Sequence, residues 1–213
     1  LKVLEEIAAL NARIQSAMLG VSWVPSLQQD ATARQAHGST AIEGNPLTLA
    51  EVRILAEGGS LPHAKPRAVQ EVLNYFAALR LIEKNAKAKE IGVRDVLKLH
   101  SIIGQKGALD REPVGLFRPY AVRVADHLPP PAKEVPGLMK DLLEWINGPG
   151  RAWPAVVSSA ILHYQFEFIH PFGDGNGRVG RALAAWELYR RRFDTQHIFA
   201  SDEVLLEDRQ AYY

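Results

Sequence analysis

Cysteine is absent from the 213 residues, which excludes disulfides and thiolate metal centres and suits a reducing compartment. No apolar run approaches the roughly 20 residues that a bilayer-spanning helix needs. The first residues, LKVLEEIAAL, lack the layout of a signal peptide. Charge of one sign is missing too: 25 Lys and Arg against 24 Asp and Glu leave a formal net charge of +1. No global field therefore draws the chain to a membrane or to nucleic acid, and any anion site has to be local. Internal repeats and low-complexity tracts are also lacking, so Pro62 and Gly148-Pro149-Gly150 read as interhelical loops rather than domain linkers. Together these absences predict a cytoplasmic protein with no membrane association and no nucleic-acid partner for this stretch of chain.

What is present is an ordinary globular composition, 47% hydrophobic and 23% charged. One sizeable core should bury on the order of 70% of the surface that the unfolded chain exposes. Apolar residues recur at helical spacing almost throughout, as in Val69, Val72, Leu73, Phe76 and Leu79. The pattern predicts a helix at the start and others at about 27–43, 48–57, 66–84, 92–105, 133–147, 154–168, 177–191 and 202–213. Thr48 with Glu51 forms a capping-box start and Gly58-Gly59 a stop, while Pro66 suits a first helical turn. The fold class is all-α with one exception: GLFRPYAVRV, residues 115–124, alternates partly and carries aromatic and β-branched residues, which predicts a small β-hairpin. Both ends of the chain are helical in pattern, so a longer protein with a further C-terminal domain is expected.

Charge and glycine concentrate in HPFGDGNGRVGR, residues 170–181. An apolar helical stretch precedes it, Pro171 should end that helix at His170, and RVGRALAAWELYRRR resumes helical character. GDGNG is thus a loop that delivers the chain into a helix N-terminus, where unpaired N–H groups and a partial positive charge can cradle an anion. Arg178 and Arg181, three residues apart, lie on one side of the first turn and can fork onto phosphate oxygens. Asp174 is a hard oxygen ligand of the kind that holds Mg2+ beside phosphates. His170 at the rim is suited to taking a proton from an incoming hydroxyl. These groups together specify phosphoryl or nucleotidyl transfer, in which positioning and charge neutralisation supply most of the rate.

The stretch resembles the signature of the Fic family, H-P-F-x-D/E-G-N-G-R-x-x-R, at every defined position. The resemblance implies the Fic fold, a helical bundle with a hairpin flap. It also implies transfer of AMP from ATP to a Tyr, Thr or Ser hydroxyl of a target protein, itself included, with Mg2+ required. His170 then corresponds to the general base, Phe172 to the apolar anchor of the loop and Asp174 to the metal ligand. Gly175, Asn176 and Gly177 match the nest around the α and β phosphates, Arg178 the β-phosphate contact and Arg181 the γ-phosphate contact. Gly115, Leu116, Phe117, Arg118, Val122 and Val124 fall in the flap, whose free backbone groups align the target by strand addition. Members of that family often dimerise, which makes a homodimer one expected state.

A second stretch, HGSTAIEGNPLT, places Ser39 and Glu43 one helical turn apart, and Gly44 ends the helix. Glutamate is unfavourable at the negative end of a helix, so a cation should hold it. The stretch resembles the S/T-x-x-x-E-G/N inhibitory motif of Fic proteins that carry their own inhibitory helix. By that resemblance Glu43 pairs with Arg181 and fills the γ-phosphate space, and the same glutamate can orient water for removal of AMP. The expected division is an N-terminal helical region, 1–60, carrying the inhibitory helix at about 27–43, and a catalytic core, 61–213. Two other readings stay open: an ATP-sensing regulator with little transferase activity, and transfer of another phosphate-containing group. His100 and His163 read as structural, and Arg190, Arg191 and Arg192 as cations closing a helix.

Overall fold

The computed structural model describes residues 2–17, 22–110 and 113–212, and among these it forms helices without a strand. In chain order they are α1 (Lys2–Ala17), α2 (Val24–Ile42), α3 (Leu49–Ala56), α4 (Pro66–Lys84) and α5 (Val93–Ile103). Then follow α6 (Val135–Asn147), α7 (Ala155–Ile169), α8 (Asn176–Arg190), α9 (Ser201–Glu207) and α10 (Arg209–Tyr212). The local signals act as their chemistry requires. Thr48 Oγ1 accepts from the Glu51 N–H at 3.3 Å while Glu51 Oε2 accepts from the Thr48 N–H at 2.8 Å, closing the capping box of α3. Gly44, at φ +91°, provides the left-handed turn that ends α2.

The architecture is built around α8. Val179, Ala182, Leu183, Ala185 and Trp186 are buried on several of its faces, so this helix has no solvent stripe and lies inside the bundle. It packs against α7, α4, α5 and α2. Its N-terminus, the end able to receive an anion, is thereby fixed by the core itself. The helix expected over 202–213 is broken at Asp208, whose Oδ1 accepts the Ala211 N–H at 3.0 Å and starts the separate turn α10.

One interhelical contact depends on a glycine. A Cβ at Gly38 of α2 would lie 2.5 Å from the Asp202 carbonyl carbon of α9, whereas a Cβ at Gly137 in α6 meets nothing within 4 Å. Gly38→Ala must therefore push α9 off α2 and is expected to destabilise by about 1–3 kcal/mol. Gly137→Ala, which only stiffens a helix, should stabilise by about 0.5–1 kcal/mol. Urea midpoints of the two variants, moving in opposite directions, check the pair.

The hairpin expected over 115–124 is present only as its tip. Val124 and His127 form one antiparallel bridge, with N–H to O distances of 3.1 and 2.8 Å across a turn in which Ala125 has φ +49°. Ladder pairing stops there because the preceding backbone is engaged elsewhere. The Arg118 N–H donates to the Pro171 carbonyl at 2.9 Å, and Pro119 and Pro129-Pro130-Pro131 supply no N–H at all.

Candidate active site

The loop between α7 and α8 carries the chemistry, and His170 begins it. His170 ends α7 in the left-handed conformation, φ 48° and ψ 62°, which is uncommon for a residue with a side chain and costs of order 1–3 kcal/mol. Its surroundings impose it. The His170 N–H donates to the Phe166 carbonyl at 2.9 Å, and its carbonyl accepts from Arg118 Nε at 2.8 Å. The Arg118 guanidinium, buried, also donates to the Tyr120 and Pro130 carbonyls at 2.8 and 2.6 Å. A cation at the negative end of α7 thus ties helix, loop and flap segment together. Burial pushes the His170 imidazole down to about 4, against a hydrogen bond with the Glu167 backbone, so the ring is unprotonated near neutral pH.

Phe172 seats the loop. It is fully buried and stacks on the His100 ring with centroids 3.7 Å apart and planes 3° from parallel. His100 has a determined tautomer: Nδ1 accepts the Gly115 N–H at 2.8 Å, so Nε2 carries the hydrogen and donates to the Asp174 carbonyl at 3.0 Å. Asn176 closes the loop from the other side, its Oδ1 accepting the Phe172 N–H and its Nδ2 donating to the Phe172 carbonyl, both at 2.9 Å. The Asn176 amide is therefore committed to loop geometry, which leaves the cradle to backbone groups. Gly175, at φ +81°, admits no side chain without strain.

The buried histidines give a stability prediction. Burial holds His100, His163 and His170 each at about 4, whereas in the unfolded chain they titrate near 6.5. Between those values the unfolded state binds protons that the folded state refuses, so stability is complete above about pH 6.5 and falls as pH drops toward 4. The slope is about 1.4 kcal/mol per pH unit for each such histidine. Glu167, pushed up to about 7 by burial, acts in the opposite sense over much of this window. His37, lowered by burial, and Asp30 and Glu51, lowered by their hydrogen bonds, add to the loss, while Asp202, raised by burial, adds to the offset, and the balance is a net loss on acidification. Urea midpoints at pH 7.5 and 5 should show it, and His100→Gln should flatten the difference.

At the start of α8 a carboxylate already lies where an anion is expected. A Cβ on Gly177 would be 2.3 Å from Glu43 Oε1, and the same oxygen accepts from Arg181 Nη2 at 2.7 Å. Arg181, 1% exposed, also donates from Nε to Ser39 Oγ and from Nη2 to the Ser39 carbonyl, each at 2.9 Å. Asp202 Oδ2 lies 4.0 Å from its Nε and accepts from Tyr75 OH at 2.8 Å. The Tyr212 hydroxyl is 3.1 Å from Nη1. Burial opposes the charge of Arg181, yet Glu43, Tyr212 and Asp202 hold the guanidinium above its ordinary value.

Arg178 is 5% exposed, and its Nε is buried without a hydrogen-bond partner. Only Nη2 reaches a carboxylate, Asp174 Oδ1 at 3.3 Å. A buried guanidinium with an unused donor at the head of a helix is a place for anionic oxygens. Asp174 is fixed by the Gly175 N–H on Oδ1 at 2.6 Å and the Asp110 N–H on Oδ2 at 2.7 Å. Among the described residues no cluster of three or more His, Asp or Glu is able to hold a metal. The single carboxylate of Asp174 fits Mg2+ that takes its remaining ligands from phosphates and water.

The structure thus brings His170, Phe172, Asp174, Gly175, Asn176, Gly177, Arg178 and Arg181 into one loop and turn, and joins Ser39, Glu43 and Gly44 to them from α2. The flap residues are not brought together. Gly115 and Arg118 spend their N–H groups on His100 and Pro171, Phe117 packs toward Phe172 at 5.8 Å, and Val122 is buried. Each of these four has its backbone or side chain engaged by the body of the bundle. Leu116 and Val124, 58% and 36% exposed, remain outward. Sequence reasoning missed Tyr75, Asp202 and Tyr212, which come from distant helices and carry no local signal. It also missed Arg118 as a clamp, although an arginine set between Phe117 and Pro119-Tyr120 was a clue.

Comparison with known proteins agrees with this geometry. The Fic/DOC family model matches residues 90–188. The protein adenylyltransferase fic-1 of Caenorhabditis elegans is 32% identical over 160 residues, 73% of this chain and 31% of that protein. The protein adenylyltransferase Fic of Nematostella vectensis is 30% identical over 191 residues, 87% of this chain and 42% of that one. The chain therefore spans less than half the length of these two relatives. A crystal structure of a Fic family protein from Desulfovibrio desulfuricans superposes with a TM-score of 0.82 at 30% identity, covering 100% of this chain and 65% of that chain. With the loop, the helix N-terminus and the bundle all accounted for, residues 90–188 form a Fic/DOC family domain.

Proposed function

We propose that this chain transfers AMP from ATP to a side-chain hydroxyl of a protein, and that α2 restrains it. The observation that carries the reading is the carboxylate on the first turn of α8: Glu43 Oε1, 2.7 Å from Arg181, occupies a cradle that accepts anionic oxygen. Next to that cradle stands an unprotonated imidazole. In the reaction the hydroxyl oxygen bonds to the α-phosphorus, the bond from that phosphorus to the β-phosphate bridging oxygen breaks, and pyrophosphate leaves. The hydroxyl proton goes to His170. The N–H groups of Asn176 and Gly177 hold phosphate oxygens, Arg178 offers its unused Nε donor to the β-phosphate, and Arg181 receives the γ-phosphate once Glu43 withdraws. Asp174 would hold Mg2+, which when bound would neutralise charge developing on the leaving pyrophosphate.

In this reading residues 1–60 are regulatory and 61–213 catalytic. The exposed segment beside the Val124–His127 bridge takes the target. The target presents a Tyr, Thr or Ser hydroxyl, a second copy of the chain being one such target, and the homodimer is the natural vehicle for that. Adenylyltransferase names of the two relatives support the choice of nucleotide. Among the described residues no helix is long and apolar enough to cross a membrane.

Intact mass of Glu43→Gly protein after incubation with ATP and Mg2+ tests the transferred group. Addition of AMP is expected. Addition of phosphate alone would assign a different reaction, and bound ATP with no adduct on the chain or on added proteins would favour a sensor.

A further inference from the structure

Glu167 lies one helical turn before His170 on α7 and belongs to no part of the signature. Its carboxylate faces two ways. Oε2 is 3.8 Å from His170 Nδ1. Oε1 is buried without a hydrogen-bond partner and lies where a Cβ on Gly180 would be, 2.4 Å from that position. An acid with one oxygen left unpaired inside a bundle is costly, and a leucine or methionine would fill the same space without that penalty. What the glutamate has within reach that these would not serve is the charge of Arg181 on one side and, on the other, the nitrogen of His170 opposite the reacting one.

We propose that Glu167 is a positioning residue for His170: its carboxylate faces Nδ1, keeps Nε2 directed at the incoming hydroxyl, and stabilises the imidazolium formed when Nε2 takes the proton. The inference rests on the transferase reading for its catalytic half only. In the step, the target O–H bond breaks as oxygen bonds to the α-phosphorus, and the proton arrives on Nε2. The positive charge of the ring then faces the carboxylate. This is the general role of an acid behind a histidine base, in which the third group orients the ring and offsets its charge without itself taking the proton. The separation of 3.8 Å belongs to the resting site, where such contacts are long and close when substrate arrives.

The groups that face Glu167 are known from each packed element. His163 and His170 lie on its own helix, Arg181 comes from α8, Glu43 from α2 and Tyr212 from α10. Burial pushes the carboxyl up to about 7, with Arg181 pulling it down and Glu43 pushing it up.

Two measurements test the proposal. The first needs no activity: ring 15N resonances of His170, assigned by their loss in His170→Ala, are followed from pH 5 to 8 in the wild type and in Glu167→Gln. The expected result is a wild-type titration that tracks the Glu167 carboxyl and is missing in Glu167→Gln. Resonances that are flat in the wild type, or that move alike in both proteins, overturn the proposal. The second compares AMP transfer by Glu43→Gly with and without Glu167→Gln. The rate constant at saturation should fall about tenfold with KM for ATP changed less than about twofold, and Glu167→Asp should retain more of the rate than Glu167→Gln. Equal rates overturn the catalytic half. If even the Glu43→Gly parent forms no AMP adduct, the transferase reading has failed, and the nitrogen titration still decides whether Glu167 holds the ring.

Discussion

His170→Ala is expected to reduce AMP transfer on the order of a thousandfold, measured in a Glu43→Gly background so that restraint by α2 does not hide the loss. The magnitude follows from general-base catalysis, which supplies about 10²–10⁴ in rate. The imidazole sits at the end of α7 in a left-handed backbone that Arg118 and Phe166 hold in place, and burial keeps it unprotonated at working pH. Alanine leaves the phosphate cradle intact, so ATP affinity should change little while transfer disappears. Fluorescence or calorimetric ATP titration run beside the labelling assay separates the two. Transfer that survives the substitution would remove His170 from the reaction, and ATP binding lost along with transfer would mark the residue as a loop support instead.

Much of this site was legible because its parts are contiguous. Residues 170–181 hold the base, the acid, the glycines and both arginines in one run, and a helix boundary on each side fixes their relative placement. Helix ends were legible for the same reason, since Thr48 with Glu51, Pro66 and Gly44 act through neighbours in sequence. What stayed hidden acts across the fold. Asp202 meets Arg181 only because Gly38 lets α9 approach α2 within contact of its backbone, and nothing near either residue announces the other. Tyr212 reaches Arg181 and His163 from a helix whose break at Asp208 was not foreseen. Alternation of residue types in 115–124 predicts pairing, and the pairing is found at one bridge, Val124 with His127. The structure instead uses the Gly115 and Arg118 N–H groups to support His100 and the loop. Asn176 illustrates a subtler limit: its position in the motif was evident, but its amide serves Phe172.

Glu43→Gly is expected to raise labelling of the chain and its partners about 5- to 150-fold, the range of a coupling of 1–3 kcal/mol between two sites. The carboxylate and a γ-phosphate make the same demand on Arg181, and the glutamate is always present at high local concentration because α2 is built into the core through Ala33, Ala36 and Ile42. Removing it does not strip Arg181 of counter-charge. Asp202 and the Tyr212 and Ser39 hydroxyls continue to hold the guanidinium, so the arginine stays in place to receive phosphate. Nor should the helix unravel, since an acid at a C-terminus opposes the helix dipole and Gly44 already makes the turn. Glu43→Gln separates charge from bulk: an amide of the same size still fills the space beside Gly177 but pairs weakly with Arg181, so its labelling should fall between wild type and Glu43→Gly. Labelling measured with ATP and Mg2+ that ranks all three proteins equal would dismiss the restraint, while the ordered series would tie it to the ion pair.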